Sequence, residues 1–265
     1  MEVKTMEQKS KYSIVFDLGN STVTSALFEN GEIKETWRIP SFDLESVNDF
    51  KAAILSSLPF EKNEIKLDSV VASSVVFPKT KSLVTALDEL FHTKVHLASL
   101  NAVSKLIEPS TISNELGVDI YANLVEARVK KPQDDVIIVD FGTALTYSIV
   151  NSMGYVKGVA IAPGVKTGLR GLLQYAPALS QYASELSIPI STFGDDTKSA
   201  IDAGVFYSVR GMVREMIHEM EKENGRKCYR IATGGQARIF APFADIFDEI
   251  DTEHTIKGIY NIFNF

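Results

Sequence analysis

The stretch IVFDLGNSTVTSALFENGEI, Ile14 to Ile33, returns without a gap as IIVDFGTALTYSIVNSMGYV, Ile137 to Val156. Asp17 aligns with Asp140, Gly19 with Gly142, Ser25 with Ser148 and Gly31 with Gly154, at a constant offset of 123 residues that also carries Pro40 onto Pro163. Each copy reads as a buried strand ending in Asp-x-Gly, a tight polar turn and a second strand running back. The repeat therefore predicts an α/β protein of two duplicated halves, with a cleft between them and an Asp-bearing turn from each half facing into it.

Bulk properties narrow the possibilities. The chain has 265 residues, 45% of them hydrophobic and 23% charged, ordinary for a water-exposed globular protein of one large or two modest domains. A net charge of −7 argues against nucleic acid as a partner, because phosphate backbones call for a basic face. One cysteine, Cys228, excludes an intramolecular disulfide and a cysteine-cluster zinc site, and it reads as an inert thiol beside a core strand. No apolar run approaches the roughly 18 residues of a membrane helix. The opening MEVKTMEQKSK, residues 1–11, is polar, lacks the apolar core of a signal peptide and is expected to be a disordered leader. These features predict a cytoplasmic protein.

Outward from the repeat, the first half is expected to hold strands at 13–17, 22–29 and 33–39, the last two joined at Asn30-Gly31, a hairpin signal. Helices at 47–58 and 80–91 alternate with strands at 67–73 and 94–100, the pattern of an α/β domain. A helix at 122–129 places Asp119 near its N-terminus, where unpaired backbone N–H groups stabilise a carboxylate. After a linker, KKPQDD, come the repeated meander, a helix at 165–175, a long amphipathic helix at 207–222 and a strand at 229–232 that runs into Thr233-Gly234-Gly235. The helix's stripe of Met212, Met216 and Met220 reads as core or dimer surface. The expected domains are 12–118 and 119–265.

Backbone N–H groups of a glycine turn can converge on phosphate oxygens because no Cβ blocks the approach. Gly19, Asn20 and Ser21 would supply such donors in the first copy, and Gly142 with the Thr143 hydroxyl in the second. Asp17 and Asp140 would hold Mg²⁺, which favours a few carboxylates together with phosphate oxygens and waters. A single Asp-x-Gly is ordinarily no more than a strand-ending turn. Duplication in register, with a third glycine turn at Gly234-Gly235 suited to the adenosine half of a nucleotide, turns the balance toward a metal-bound polyphosphate. Asp119 fits either a base that accepts a hydroxyl proton during phosphoryl transfer or a simple helix cap. The four histidines are scattered and support no catalytic role.

With these residues in view, the chain resembles the type III pantothenate kinases, in the superfamily of acetate and sugar kinases, heat-shock chaperone ATPases and actin. The landmarks, in order, are DLGNS (Asp17–Ser21), ASSVVFP (Ala72–Pro78), LGVD (Leu116–Asp119), DFGTALT (Asp140–Thr146), AIAPG (Ala160–Gly164), GDDTKSAIDAG (Gly194–Gly204), ATGG (Ala232–Gly235) and EHTIKGI (Glu253–Ile259). The resemblance implies two ribonuclease-H-like, actin-like ATPase domains with an interdomain nucleotide cleft. It also implies transfer of the ATP γ-phosphate to the primary hydroxyl of pantothenate, the first step of coenzyme A synthesis. A cytoplasmic homodimer using Mg²⁺ and a monovalent cation, K⁺ or ammonium, comes with it. By position, Asp17 and Asp140 become the metal and phosphate carboxylates, Asp119 the catalytic base, Gly234 and Gly235 the adenosine turn, and Gly117 and Thr197 pantothenate-side residues.

Five positions depart from that pattern. Ile120 stands where the family carries Arg after the aspartate, Ser110 and Ser113 replace a tyrosine and a proline, Ser148 replaces an acidic residue, and Val159 replaces a glycine. Loss of a charge-assisted hydrogen bond from that Arg corresponds to about 1.5–3 kcal/mol, or roughly ten- to a hundredfold in acceptor binding. Three readings stay open: pantothenate kinase with an altered acceptor pocket, kinase for another small alcohol, and a weakly active or inactive family member with a regulatory or binding role.

Overall fold

The structure, a computed structural model, describes residues 10–61, 65–100, 106–111, 113, 115–182, 186–243 and 245–264. Of the expected leader, only Ser10 and Lys11 lie among them, and the Lys11 amide donates to Asn30 Oδ1 at 3.0 Å.

The first sheet begins with an antiparallel meander of β1 (Tyr12–Leu18), β2 (Thr22–Glu29) and β3 (Glu32–Pro40). Helix α1 (Val47–Ser57) then returns the chain so that β4 (Ser69–Ser74) runs parallel to β1, and α2 (Phe77–Phe91) does the same for β5 (Val95–Leu97). After α3 (Val118–Lys130) the plan repeats with β6 (Val136–Phe141), β7 (Ala144–Val150), β8 (Val156–Pro163), α4 (Val165–Tyr175), α5 (Thr197–Asn224), β9 (Tyr229–Thr233) and β10 (Glu249–Ile250), before α6 (His254–Asn264). The strand orders β3-β2-β1-β4-β5 and β8-β7-β6-β9-β10 are the same topology twice. The α/β expectation and the duplication both hold.

Strand alternation sets each core. Ile14, Phe16 and Leu18 point to one face of the first sheet, against Phe50 and Ile54 of α1 and Leu83 and Leu87 of α2. Each fully buried side chain of this kind contributes about 1.5–3 kcal/mol. In the second sheet Ile137, Val139 and Phe141 meet Phe206, Val209, Val213 and Ile217 of α5. Met212, Met216 and Met220 lie partly buried against the same cluster, so the methionine stripe serves the core. Asp17 and Asp140 take the alternate pleat position and emerge on the face away from these helices.

By backbone contacts the chain divides into two units. The first comprises the described residues through 100 together with 117–119 and 259–264; the second comprises those from 106 to 116 and from 120 to 258. Tyr260 is drawn into the first unit by stacking on Phe28, centroids 4.2 Å apart, and Phe263 by a ring contact with His96 at 4.4 Å.

The gapless alignment of the two copies does not survive in space. Cross-strand register sets Asp17 opposite Thr24 and Leu18 opposite Val23, but Asp140 opposite Thr146 and Phe141 opposite Leu145. The second turn is one residue tighter: Gly19 N–H closes on Thr22 O at 3.0 Å, whereas Gly142 N–H closes on Ala144 O at 3.1 Å. The missing residue returns at the next hairpin. Asn30 and Gly31 make a two-residue turn with φ of 53° and 92°, while 151–155 form a longer loop closed by Asn151 N–H to Tyr155 O at 3.0 Å. Beyond it Pro40 and Pro163 again match, opposite Thr22 and Ala144. Ser25 therefore corresponds to Tyr147, not to Ser148, because a one-residue slip moves every side chain of a strand to the other face.

Candidate active site

In the first unit, Asp17 stands half-buried at the penultimate position of β1, and the turn after it is braced from below. Ser41, 2% exposed, holds it with two bonds: its N–H donates to Ser21 O at 3.2 Å and its Oγ to Gly19 O at 3.0 Å. Lys79 Nζ in turn donates to the carbonyls of Ser41 and Phe42 at 3.1 and 3.2 Å. Asn20 at the turn's apex is exposed. Beside Asp17 in parallel register lies Ser73, wholly buried, whose Oγ has no hydrogen-bond partner among the described residues.

Asp119 is the second residue of α3, half-buried in the first turn as its position before the apolar helix predicts. Its carboxylate folds back over Gly117, where a Cβ would stand 2.4 Å from Oδ1. Glycine at 117 thus makes room for the aspartate. Ile120 beside it is 7% exposed and offers no charge. Ser110 and Ser113 serve their own loop, with Ser110 Oγ donating to Glu108 Oε1 at 2.9 Å and Ser113 Oγ accepting from Glu115 N–H at 3.2 Å.

In the second unit two glycine turns converge on Asp140. Gly234 has φ of 91°, and a Cβ there would stand 2.3 Å from Asp140 Oδ1 and 2.7 Å from Phe141 N. Gln236 N–H donates to Phe141 O at 3.2 Å, tying the Gly234-Gly235 turn to the end of β6. The Gly142-Thr143 turn is held from its other side: Gly164 N–H and Thr167 Oγ1 both donate to Thr143 O, at 3.1 and 2.7 Å. A Cβ at 164 would fall 2.3 Å from Gly142 O. Thr233 lies beside Asp140 in parallel register, wholly buried and with Oγ1 unpartnered among the described residues, as Ser73 does beside Asp17.

Asn123 of α3 is a neighbour of Asp140 that sequence reading passed over. Its Nδ2 donates to Asp140 Oδ2 at 3.0 Å. One signal was present: Asn123 follows Asp119 by one helical turn, on the same face. Ser73 and Thr233 needed strand register to be found. Thr197 also lies in the second unit. It opens α5 after the N-cap Asp196, whose carboxylate accepts Ser199 N–H at 2.8 Å, and lines a largely apolar cavity of about 640 Å³ with Pro163, Gly164, Val165 and Ile201.

Charge near α3 is arranged to support it. Burial works against the Asp251 carboxylate, but the neighbouring His254 ring, Lys130 and Lys257 outweigh it and hold the group well below the usual carboxylate range. Lys130 and Lys257 approach Asp251 at 2.7 and 3.0 Å. Among the described residues no group of three or more His, Cys, Asp or Glu converges as a ready-made metal cage. A Mg²⁺ that takes one or two carboxylates and fills its octahedron with phosphate oxygens and water needs none.

The model of the family described as type III pantothenate kinase matches residues 13–219. A type III pantothenate kinase from Dehalococcoides mccartyi is 29% identical over 255 residues, covering 94% of each chain. Among solved structures, a Campylobacter jejuni protein provisionally described as a conserved Baf family transcriptional activator superposes with a TM-score of 0.57 at 16% identity, over 95% of this chain and 97% of that one. An archaeal actin homolog gives 0.53 at 11% identity, over 96% and 99%. At such identities the structural likeness concerns the fold, which is that of the actin-like ATPases. With the family model spanning most of its length, the chain belongs to the type III pantothenate kinase family.

Proposed function

We propose that this protein transfers the γ-phosphate of ATP to the primary hydroxyl of pantothenate, opening coenzyme A synthesis. The observation that carries the proposal is the twice-built turn. In each unit a strand-end aspartate stands beside a glycine turn, with a buried hydroxyl on the adjacent parallel strand, Ser73 by Asp17 and Thr233 by Asp140. Phosphoryl transfer asks a protein mainly for positioning and charge complementarity, and both turns are braced by hydrogen bonds that fix their backbone.

Asp17 and Asp140 suit Mg²⁺: each is a half-buried carboxylate at a strand end followed by a glycine turn, and at Asp140 the absence of a Cβ at Gly142 and Gly234 keeps the space beside Oδ1 clear. When bound, the metal offsets negative charge on the phosphates. Gly19, Asn20, Ser21, Gly142 and Thr143 would donate to phosphate oxygens, and Gly234 and Gly235 would border the adenosine. Asp119 would orient the acceptor hydroxyl and take its proton, with Gly117 giving the carboxylate its space and Thr197 contacting the acceptor side. A monovalent cation, K⁺ or ammonium, cytoplasmic location, and the domain division at 118/119 belong to the same proposal. A homodimer belongs to it as well.

A second reading, another small alcohol as acceptor or a binding role with little turnover, is favoured by Ile120, which buries an apolar side chain where related chains place a cation beside the base. ADP release measured with ATP, Mg²⁺ and pantothenate, with and without K⁺ or ammonium, decides between them. Turnover abolished by Asp119→Ala supports the proposal. No ADP with pantothenate, but release with another alcohol, moves the assignment to that acceptor, and a flat response to all acceptors leaves the binding role.

A further inference from the structure

Asp140 is gripped by a side chain that the internal repeat does not encode. Asn123 is 1% exposed, and its carboxamide occupies Asp140 Oδ2 at 3.0 Å. The other oxygen, Oδ1, lies toward the two glycine turns: a Cβ at 234 would stand 2.3 Å from it and one at 142 would stand 3.6 Å away. The backbone that carries Asn123 is pinned by separate contacts. The fully buried His254 places Nε2 3.0 Å from the Asn123 carbonyl oxygen, and Gly258 of α6 approaches Ala122 so closely that a Cβ at 258 would fall 2.0 Å from the Ala122 carbonyl oxygen.

Packing alone does not account for an amide at this place. Asn123 Oδ1 is buried without a hydrogen-bond partner among the described residues, a cost that an apolar side chain of similar size would avoid. What the amide supplies is a neutral donor. A lysine would fix Asp140 equally well but would cancel the charge a cation needs. The terminal torsion of an aspartate is soft, so each bond that orders the carboxylate beforehand lowers the cost of ligand binding.

We infer that Asn123 is a positioning residue for phosphoryl transfer: it holds Asp140 Oδ2 so that Oδ1 is presented to the metal-bound phosphates. This rests on the proposed kinase reading.

The test uses the full chain carrying Asn123→Leu, which keeps the volume and leaves the His254 contact to the backbone intact. Binding of ADP is measured by calorimetry with Mg²⁺ and with EDTA, alongside melting temperature, kcat and the KM for pantothenate. The expected result is an unchanged or higher melting temperature and unaltered ADP affinity in EDTA. The gain in affinity conferred by Mg²⁺ should fall about ten- to a hundredfold, the value of a charge-assisted hydrogen bond, with kcat falling alongside and KM for pantothenate unmoved. Should Asn123→Leu fail to fold, Asn123→Ala decides on the same readouts. A wild-type Mg²⁺ gain that persists in the variant overturns the inference and leaves the kinase reading intact. Equal losses in Mg²⁺ and EDTA overturn it in favour of a structural role. A wild-type chain that binds no nucleotide overturns both.

Discussion

Replacing Gly234 with alanine probes a tight junction in the candidate site. The residue holds φ at 91°, a region costing an L-residue about 1–3 kcal/mol. The new Cβ would also meet Asp140 Oδ1 at 2.3 Å, Phe141 N at 2.7 Å and Phe141 C at 2.8 Å. Two of those three atoms are backbone of a central strand, so relief requires the turn to move off β6 rather than a side chain to rotate. The φ cost alone, spread over a chain of this size, lowers the melting temperature by about 3–10 °C. Displacement of the turn should weaken nucleotide binding more than tenfold, on the order of 1.4 kcal/mol or greater. Gly211→Ala is the control: it lies within α5, its Cβ position meets nothing within 4 Å beyond the local helix backbone, and alanine there should stabilise by about 0.5–1 kcal/mol. Thermal melts followed by circular dichroism, with calorimetric ADP binding, give both quantities. A Gly234→Ala protein that melts and binds like wild type would refute the geometry argued for this turn.

Asp140→Asn should keep the fold yet lower kcat by about 10²–10³-fold, as removal of an electrostatic anchor of the transition state does, measured as ADP release at saturating pantothenate. Asp135 sits buried under Arg226, Asn224 and the Ser152 amide; burial opposes its charge, but those hydrogen bonds prevail and hold the carboxyl at about 2. Because that folded value lies below the ordinary one, its stabilisation is complete above about pH 4 and fades as pH falls toward 2. With Arg226 59% exposed and partly screened, Asp135→Asn should cost about 1–2 kcal/mol at neutral pH in urea titrations, with the gap to wild type closing in acid. Phe28→Ala, deleting a 1% exposed ring stacked on Tyr260, should destabilise the first unit by about 3–5 kcal/mol in the same titrations. Burial pushes the Cys228 thiol up to about 11, so a thiol-reactive probe at pH 8 should label it only after unfolding.

Much of this molecule was legible from local patterns. Apolar alternation located β1 and β2 nearly to the residue, and Asn30-Gly31 announced its turn because both positions adopt left-handed backbone that Asn and Gly tolerate. Asp17 and Asp140 were found because Asp-x-Gly recurs at a fixed spacing. Other elements escaped. Helix α5 begins at Thr197, ten residues before the expected start at Tyr207, because the capping box of Asp196 and Ser199 starts it rather than hydrophobic spacing. Strand β10 is two residues long, too short to show a period, and exists by pairing with β9.

Residue order thus carries the duplicated plan, the positions of the aspartates and the turns that follow them, since each depends on backbone preferences within a few residues. Pairing across strands and the docking of helices lie beyond such preferences. The slip that sets Tyr147, not Ser148, in the place of Ser25 cannot be seen in an alignment whose deletion and insertion cancel. Nor can the grip of Asn123 on Asp140, because it joins a helix to a strand 17 residues later through a contact made only when both are buried together.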